Sequence, residues 1–174
     1  GITMTEESNN APEAAADGAQ QAGPQFALQR IYLKDTSFES PKSPQIFQTQ
    51  WSPKINFDIK TRNTKVADDV YEVVLVLTAE AQLEEETAFV VEVHQAGIFT
   101  VKEFSETDLE QVLATVCPSI LFPYSRESLD ALVVKGSFPP LMIAPINFEA
   151  LYAQQKQAAE QQAAGGEAAP ESVQ

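Results

Sequence analysis

The stretch from Glu85 to Val101, EETAFVVEVHQAGIFTV, is the clearest strand in the sequence and decides the fold. Side chains alternate between the two faces of a strand. One face is therefore apolar as far as Gln95 and consists of Phe89, Val91, Val93 and Gln95. The other face carries an aliphatic residue, a carboxylate and an imidazole: Val90, Glu92 and His94. The apolar face needs a covering layer, whereas the mixed face can stay partly in water and contact a partner.

Three further strands are predicted before this stretch. The segment 26–38 alternates, with Phe26, Leu28, Arg30 and Tyr32 on one face and Ala27, Gln29, Ile31 and Leu33 on the other. The segment 54–60 has one apolar face, formed by Ile55, Phe57 and Ile59. The segment 70–83 contains the buried run VVLVL. Turns are predicted at 61–64 (TRNT) and at 84–86 (EEE).

A long crossover loop is predicted at 39–53. Its three prolines interrupt strand pairing, because proline has no N–H to donate to a sheet. The loop carries three large apolar side chains, Ile46, Phe47 and Trp51. Long ordered loops in compact domains are often functional, so these side chains are candidates for a binding site.

The hydrophobic period changes after Phe104. Four apolar residues then recur at i, i+3, i+4 and i+7, on one face of a helix: Leu109, Val112, Leu113 and Val116. Ser105 or Thr107 can cap the start of this helix, and Pro118 is expected to stop it.

Two more helices are predicted towards the C-terminus. The second runs from Ser119 to Lys135 and stops at Gly136, and Pro123 is tolerable only near its start. After the extended apolar run 138–145, a third helix begins at the cap residue Asn147. Its apolar stripe fades quickly, so its far end is expected to be solvated; the stripe is Phe148, Leu151 and Tyr152.

Strands followed by helices predict an α+β fold, with a four-stranded antiparallel sheet and three C-terminal helices packed on one side. Residues 1–24 are predicted to form a disordered acidic arm, of which 1–3 precede Met4 as a cloning remnant. Residues 25–160 form the single domain, and 161–174 form a disordered tail.

The charge balance excludes one class of partner. The net charge is −14, and residues 25–152 alone hold 18 acidic and 10 basic side chains. Nucleic acid requires basic surface, so this composition argues against it and favours a basic partner. The single cysteine excludes an internal disulfide and fits a reducing compartment. Neither a membrane span nor a secretory signal is visible.

The sequence offers little for catalysis. It contains no glycine-rich phosphate loop, nucleophile elbow or metal-ligand cluster, so neither an enzyme nor a cofactor or metal site is expected. His94 is interpreted as structural or partner-facing, and Cys117 as a small buried hydrophobe. The acidic pairs at 68–69 and 84–86 are interpreted as solvated turns.

The surface apolarity leaves two interpretations open. The aromatic residues of the loop and the apolar run 138–146 can simply cover the core. Alternatively, they line an exposed groove for extended apolar polypeptide, or an oligomer interface.

Several blocks resemble the SecB family of bacterial protein-export chaperones. They are QRIYLKDTSFE at 29–39, followed by the proline-rich loop and Trp51; DDVYEVVL at 68–75; EETAF at 85–89; QAGIF at 95–99; CPSILFPYSRE at 117–127; and APINFEAL at 144–151. The resemblance spans about 26–152 and includes every predicted element in order.

The resemblance implies a function and its partners. SecB-like proteins are ATP-independent holdases of the cytosol that bind unfolded precursors and deliver them to the SecA motor. They are homotetramers, built as dimers of dimers, with helices packed at the dimer–dimer interface. SecB-like folds also serve toxin–antitoxin systems in some bacteria, and the sequence does not decide that point for this chain.

The resemblance also implies site residues. An acidic surface that binds the basic, zinc-carrying C-terminal tail of SecA corresponds to Asp35, Glu39, Val90 and Glu92, with leucine in the family where Val90 stands. Positions linked to tetramer assembly correspond to Phe89, Val91, Val93 and Gln95, with cysteine in some members at Val91. The client groove corresponds to Trp51, Ile55, Phe57, Ile59, Tyr124, Phe138 and Tyr152, with phenylalanine in some members at Tyr152.

Two rival functions are kept beside the holdase. One is an oligomeric adaptor whose aromatic residues are all buried. The other is a small-ligand-binding α+β domain that uses the same pocket.

Overall fold

The computed structural model describes residues 23–165. Four strands come first, and a short 3-10 helix lies in the loop between the first two. The strands are β1 (Gln25–Glu39), β2 (Lys54–Ala67), β3 (Val70–Leu83) and β4 (Glu86–Lys102), and the 3-10 helix is Gln45–Gln48. Three helices follow: α1 (Glu106–Ala114), α2 (Val116–Lys135) and α3 (Phe148–Gly165). The predicted order of four strands and three helices is confirmed.

The strands form one antiparallel sheet in the order β1-β4-β3-β2. β4, the strand predicted first from the sequence, is central, so both of its neighbours pair with it along most of its length. Because β1 and β2 lie at opposite edges, the 40–53 loop crosses from one edge of the sheet to the other.

The alternation predicted for β1 is wrong beyond Leu28. Two register shifts, between Leu28 and Arg30 and between Leu33 and Asp35, each insert one residue into the strand. An inserted residue exchanges the faces for everything that follows it. Ile31 therefore packs against the main core, and Tyr32 lies on the opposite face.

The predicted turn at 61–64 is also wrong. β2 continues to Ala67, and the turn lies at Asp68 and Asp69, where Asp69 has a φ of 57°. Aspartate tolerates this left-handed conformation better than most residues. The polar run 61–64 does not mark a loop, because an edge strand exposes its polar side chains to water. The predicted turn before β4 is confirmed at residues 84–85.

The first helix is capped as predicted, since the Ser105 hydroxyl accepts the Asp108 N–H at 3.1 Å. The boundary at Pro118 is wrong. The chain bends at Thr115, whose φ and ψ are −124° and −61°, and α2 begins at Val116. Pro118 lies in the first turn of α2, where the backbone N–H has no helical partner to lose.

The earlier start of α2 places Pro123 inside the helix instead of near its start. The predicted end of the helix at Lys135 is confirmed, and Gly136 is its C-cap residue. A side chain at Gly136 would meet the Phe38 ring at 2.2 Å. The glycine therefore lets β1 approach the end of α2.

The helices lie on one face of the sheet. The main core combines alternate residues of β3 and β4 with buried residues of α1 and α2. We call the opposite side the open face; its small cluster contains only strand residues, Val74, Val76, Ala96 and Tyr32. The predicted sheet with helices on one side is confirmed.

Helix α3 continues to Gly165, so residues 161–165 of the predicted tail at 161–174 are helical. The rest of that tail lies outside the described residues. So does most of the predicted arm at 1–24, of which Gly23 and Pro24 are described. The Gly23 N–H donates to Glu103 Oε2 at 3.0 Å.

Candidate functional site

The helix-side face of β2 is incompletely covered. The side chains of Ile55 and Phe57 are 39% and 38% exposed, and Ile59 packs partly against the core. α2 lies mainly over β3 and β4, so this edge strand extends beyond the helix layer. We call the band formed by Ile55, Phe57 and Ile59 the apolar floor.

Aromatic residues close one end of the apolar floor. The Trp51 ring centroid lies 5.4 Å from that of Phe138 and 6.3 Å from that of Phe89. Phe47 lies on the other side of Phe138, at 5.3 Å. The 40–53 loop is fixed there because Ile46 is buried in the main core. Phe47 was a candidate from its position on the crossover loop, but it was not among the residues assigned to the client groove.

The extended segment 138–146 forms a wall that α2 holds in place. The carboxylate of Asp130 accepts two backbone N–H groups, from Leu141 at 2.9 Å and from Met142 at 3.2 Å. Arg126 donates to the Ile143 carbonyl at 3.3 Å. These charged side chains hold in place an irregular segment that pairs with no strand of the sheet.

Tyr152 lies at the other end of the apolar floor. It lines a cavity of about 160 Å³ with Ile59, Phe148 and Leu151, together with polar side chains that include Asn63. Its hydroxyl is buried and has no hydrogen-bond partner among the described residues. Of the residues predicted for the client groove, Ile59 and Tyr152 share this cavity, and Trp51 and Phe138 share a second cavity of about 130 Å³. Ile55 and Phe57 line neither cavity and lie on β2 between Trp51 and Ile59 in the sequence.

Tyr124 is separate from these six residues. It is half-exposed on the outer side of α2, where it lines a shallow cavity with Pro123 and Glu127. Val116 and Val134 are exposed on the same helix. We call Val116, Tyr124 and Val134 the α2 strip.

The predicted acidic residues come together on the open face. Asp35 pairs with His94, Ser37 with Glu92, and Glu39 with Val90 across β1 and β4. Asp35, Glu39, Val90 and Glu92 therefore share one face of two adjacent strands, and we call them the acidic strip. The second shift in β1 produces this arrangement, because it brings Asp35 and Glu39 to the open face.

Hydrogen bonds fix the carboxylate of Glu92. His94 Nε2 lies 2.5 Å from Oε1, and Thr78 Oγ1 donates to Oε2 at 3.0 Å. The bonds from His94 and Thr78, in that order, lower the pKa of Glu92. The carboxylate therefore stays ionised at a lower pH than an ordinary glutamate.

A second polar cluster lies further along the open face. Glu72 accepts from Lys34 at 2.6 Å and from the Tyr32 hydroxyl. These bonds, from Lys34 first, lower the pKa of Glu72, while burial and the adjacent carboxylate raise that of Tyr32 to about 12.

The residues predicted for tetramer assembly are buried within one protomer. Phe89, Val91 and Val93 are inaccessible beneath the helices, and Gln95 is nearly so. Cys117 is buried as well, and burial raises the pKa of its thiol to about 12, well above neutral pH.

Within residues 23–165, no group of three or more His, Cys, Asp or Glu side chains is arranged to hold a metal ion. None of the helices in that range is both long and apolar enough to cross a membrane.

Comparison with known proteins gives consistent matches. The family model described as preprotein translocase subunit SecB matches residues 19–159. Protein-export protein SecB of Hahella chejuensis is 56% identical over 147 residues, which cover 83% of this chain and 92% of that protein. Its namesake from Ectopseudomonas mendocina is 49% identical over 166 residues, 95% of this chain and 99% of that protein.

One solved structure supports the fold. A SecB-like chaperone of Mycobacterium tuberculosis, in complex with a peptide from the HigA1 antitoxin, matches with a TM-score of 0.59 at 17% identity. The match covers 70% of this chain and 91% of that chain. The family match and the curated relatives both extend over most of the sequence, and on that evidence the chain belongs to the SecB family of protein-export chaperones.

Proposed function

We propose that this protein, a holdase of preprotein export, binds its clients and its motor partner on opposite faces of the sheet. The client site is the groove along the apolar floor, and the docking site is the acidic strip. The observation that carries the proposal is the exposure of Ile55 and Phe57 on a strand with aromatic side chains at both ends. The protein holds its clients without catalysing a reaction and needs no cofactor or ATP.

Client binding follows from apolar area. Burying such area is worth roughly 25 cal/mol per Å², so a long groove gains affinity from many small contacts. Affinity for a surface of this kind depends on the apolar area that the client buries and not on the identity of its side chains. Many different clients can therefore bind. Folded proteins bury their apolar segments, so only clients that have not yet folded are held.

A refolding experiment tests the holdase proposal first. A slow-folding secretory protein is diluted from denaturant with and without this protein, in the absence of ATP. We expect refolding to stall near the stoichiometric ratio, and the native form of the client not to bind. Refolding that proceeds unchanged would place the adaptor function ahead of the holdase.

A pair of variants tests the groove itself. Trp51→Ala combined with Phe57→Ala removes one aromatic end and the centre of the apolar floor. We expect client affinity to fall at least about tenfold with the protein still folded, because each ring contributes a few kcal/mol of apolar burial. The control is Val66→Ala, which truncates an exposed apolar residue of β2 outside the groove. Equal client affinity for both variants would remove the groove assignment.

Docking to the basic, zinc-carrying tail of SecA is the second part of the proposal. The carboxylates of Asp35, Glu39 and Glu92 attract basic residues, and Val90 adds apolar contact between them. The zinc belongs to the partner. We expect Glu92→Lys to weaken docking strongly and Asp35→Asn to weaken it less, because the first reverses a charge and the second removes one. Glu110→Lys, an equal charge change on exposed α1, is the control; an equal loss with that variant would contradict a local site.

Assembly is the third part. We propose a homotetramer, a dimer of dimers, in which a second copy covers the α2 strip. Four grooves in one particle would raise avidity for a long client. Tyr124 is then an assembly residue and not part of the groove. Tyr124→Asp is expected to lower the mass measured by sedimentation, whereas an unchanged mass would remove the strip from the interface.

The location is part of the same proposal. Precursors destined for export are unfolded in the cytosol, so the protein is proposed to act in the cytoplasm. Its acidic surface leaves nucleic acid outside its range of partners.

A further inference from the structure

A cavity on the open face shares only Glu92 with the proposed docking site and no residue with the proposed client groove. It lies between β2 and β4 and has a volume of about 440 Å³. Its lining is mostly charged or polar: Lys60, Thr61, Arg62, Val76, Thr78, Glu92 and His94. Lys60 pairs with Val76, and Val76 with His94, so these side chains form one row across three strands.

A chain of hydrogen bonds fixes one wall of this cavity. Thr78 and His94 occupy both oxygens of Glu92. The other ring nitrogen of His94, Nδ1, lies 3.4 Å from an Arg62 guanidinium nitrogen. With the Nε2 proton donated to Glu92, Nδ1 carries a lone pair that accepts from Arg62. The imidazole ring is therefore held between the Glu92 carboxylate and the Arg62 guanidinium.

The β2 side of the cavity is cationic. Lys60 lies 3.6 Å from Asp58, and both side chains are mostly exposed, at 77% and 62%. An exposed pair of this kind is worth little, so Lys60 can turn towards a ligand at small cost. Arg62 offers further N–H groups in a planar fork that matches an oxyanion.

Charge is unevenly distributed over the open face. The carboxylates of Asp35, Glu39 and Glu92 lie on its β1–β4 side, and Lys54, Lys60 and Arg62, with Asp58 among them, lie on its β2 side. Adjacent strands are about 4.8 Å apart, so roughly 14 Å separates the Asp35 and Lys60 positions of the same row. About four residues of extended polypeptide span that distance.

We propose that this cavity is an oxyanion subsite that takes a carboxylate side chain of the polypeptide docked on the acidic strip. The inference rests on the proposed docking function. Arg62 and Lys60 bind the carboxylate, and the neighbouring acidic strip binds basic residues about four positions away. A segment that is basic throughout is repelled by Lys60 and Arg62, so the subsite selects segments of mixed charge.

A titration with inorganic phosphate tests the subsite without any docked partner. His94 is the sole histidine of the chain, so its ring gives a single set of NMR signals. We expect a saturable shift of these signals in the wild type, and at least about fivefold weaker binding in Arg62→Gln. Lys65→Gln is the matched control, because it removes one charge from β2 at a residue that pairs with Asp68. The absence of a saturable shift in the wild type overturns the subsite.

Two peptides then identify the source of the carboxylate. Both carry a Lys-Arg pair, and they differ by Glu or Gln four residues away. We expect the Glu peptide to bind the wild type about fivefold more tightly, and Arg62→Gln to remove the difference. Equal binding of the two peptides overturns the inference and leaves docking intact. Phosphate binding without binding of either peptide overturns the docked polypeptide as the source and contradicts docking on the acidic strip.

Discussion

On the helix side of the sheet, Ile55 and Phe57 present apolar area in a groove with aromatic residues at both ends. On the open face, Asp35, Glu39 and Glu92 present carboxylates, of which that of Glu92 is fixed by hydrogen bonds. The two surfaces lie on different strands of one sheet, β2 and the β1–β4 pair, and on opposite faces of it, because successive side chains of a strand point to opposite faces. Under the proposed function, the sheet would bind a client through apolar area on one face and a partner through charge on the other.

The largest expected effect is a difference in the stability lost on mutation of the two faces of the sheet. Phe89 is fully buried on the helix side and contacts the rings of Phe38, Trp51 and Phe138. Phe89→Ala is expected to cost about 3–5 kcal/mol of unfolding free energy, from lost burial and the cavity left behind. Ser37→Ala on the open face should cost almost nothing. Urea denaturation measures both, and similar losses would mean that the open face is also packed.

Salt is expected to change the binding affinity of one face more than that of the other. Docking on the acidic strip should weaken several-fold between about 0.05 and 0.5 M NaCl, because the Debye length shortens over this range. Client binding to the apolar floor should change little, or strengthen in sulfate. Isothermal titration at several salt concentrations measures both affinities. Parallel salt dependence would indicate that both ligands use one surface.

Tyr152 tests the polar end of the groove. Its hydroxyl is buried without a partner among residues 23–165. Tyr152→Phe removes this group and keeps the ring, so we expect the unfolding free energy to rise by about 1 kcal/mol. Thermal denaturation, with Tyr124→Phe as the exposed control, measures the change. A loss of stability specific to Tyr152→Phe would show that the hydroxyl is satisfied in the folded protein.

The smallest effect concerns the pH dependence of the open face. The pKa of Glu72 is lowered in the folded protein, chiefly by Lys34 and then by Tyr32. Its stabilisation is present above the ordinary glutamate value of 4.5 and is lost as the pH falls from there through the lower folded pKa. Glu72→Gln should therefore cost about 0.5 kcal/mol at pH 7 and less as the pH falls below 4.5. Denaturation at pH 7 and pH 3 tests this; a constant difference between the proteins would contradict it.

Much of the fold could be predicted because its signals are local. The alternation in β4 and the period-3.6 stripe of α1 record which side of each element is buried. The Ser105 cap and the Gly136 stop are also local signals. The predictions were wrong where one local pattern fits two structures. The polar run 61–64 fits either a turn or an edge strand, and Pro118 fits either the end of a helix or the first turn of one.

The candidate site was only partly predictable. Asp35, Glu39, Val90 and Glu92 were named from the resemblance, but their alignment depends on two inserted residues in β1 that alternation alone does not reveal. Tyr124 was assigned to the groove from the resemblance, whereas in the structure it lines a separate shallow cavity on α2. The cavity beside Arg62 was not predicted, because its lining comes from three strands.

The sequence by itself determined the order and type of the elements, the acidic character of the surface and the family. These properties depend on composition, on short-range periodicity and on blocks of sequence that resemble a known family. Only the tertiary structure decided which side chains share a surface. Residues far apart in sequence meet through strand register, and a one-residue insertion exchanges the two faces of a strand, so the sites follow from long-range pairing.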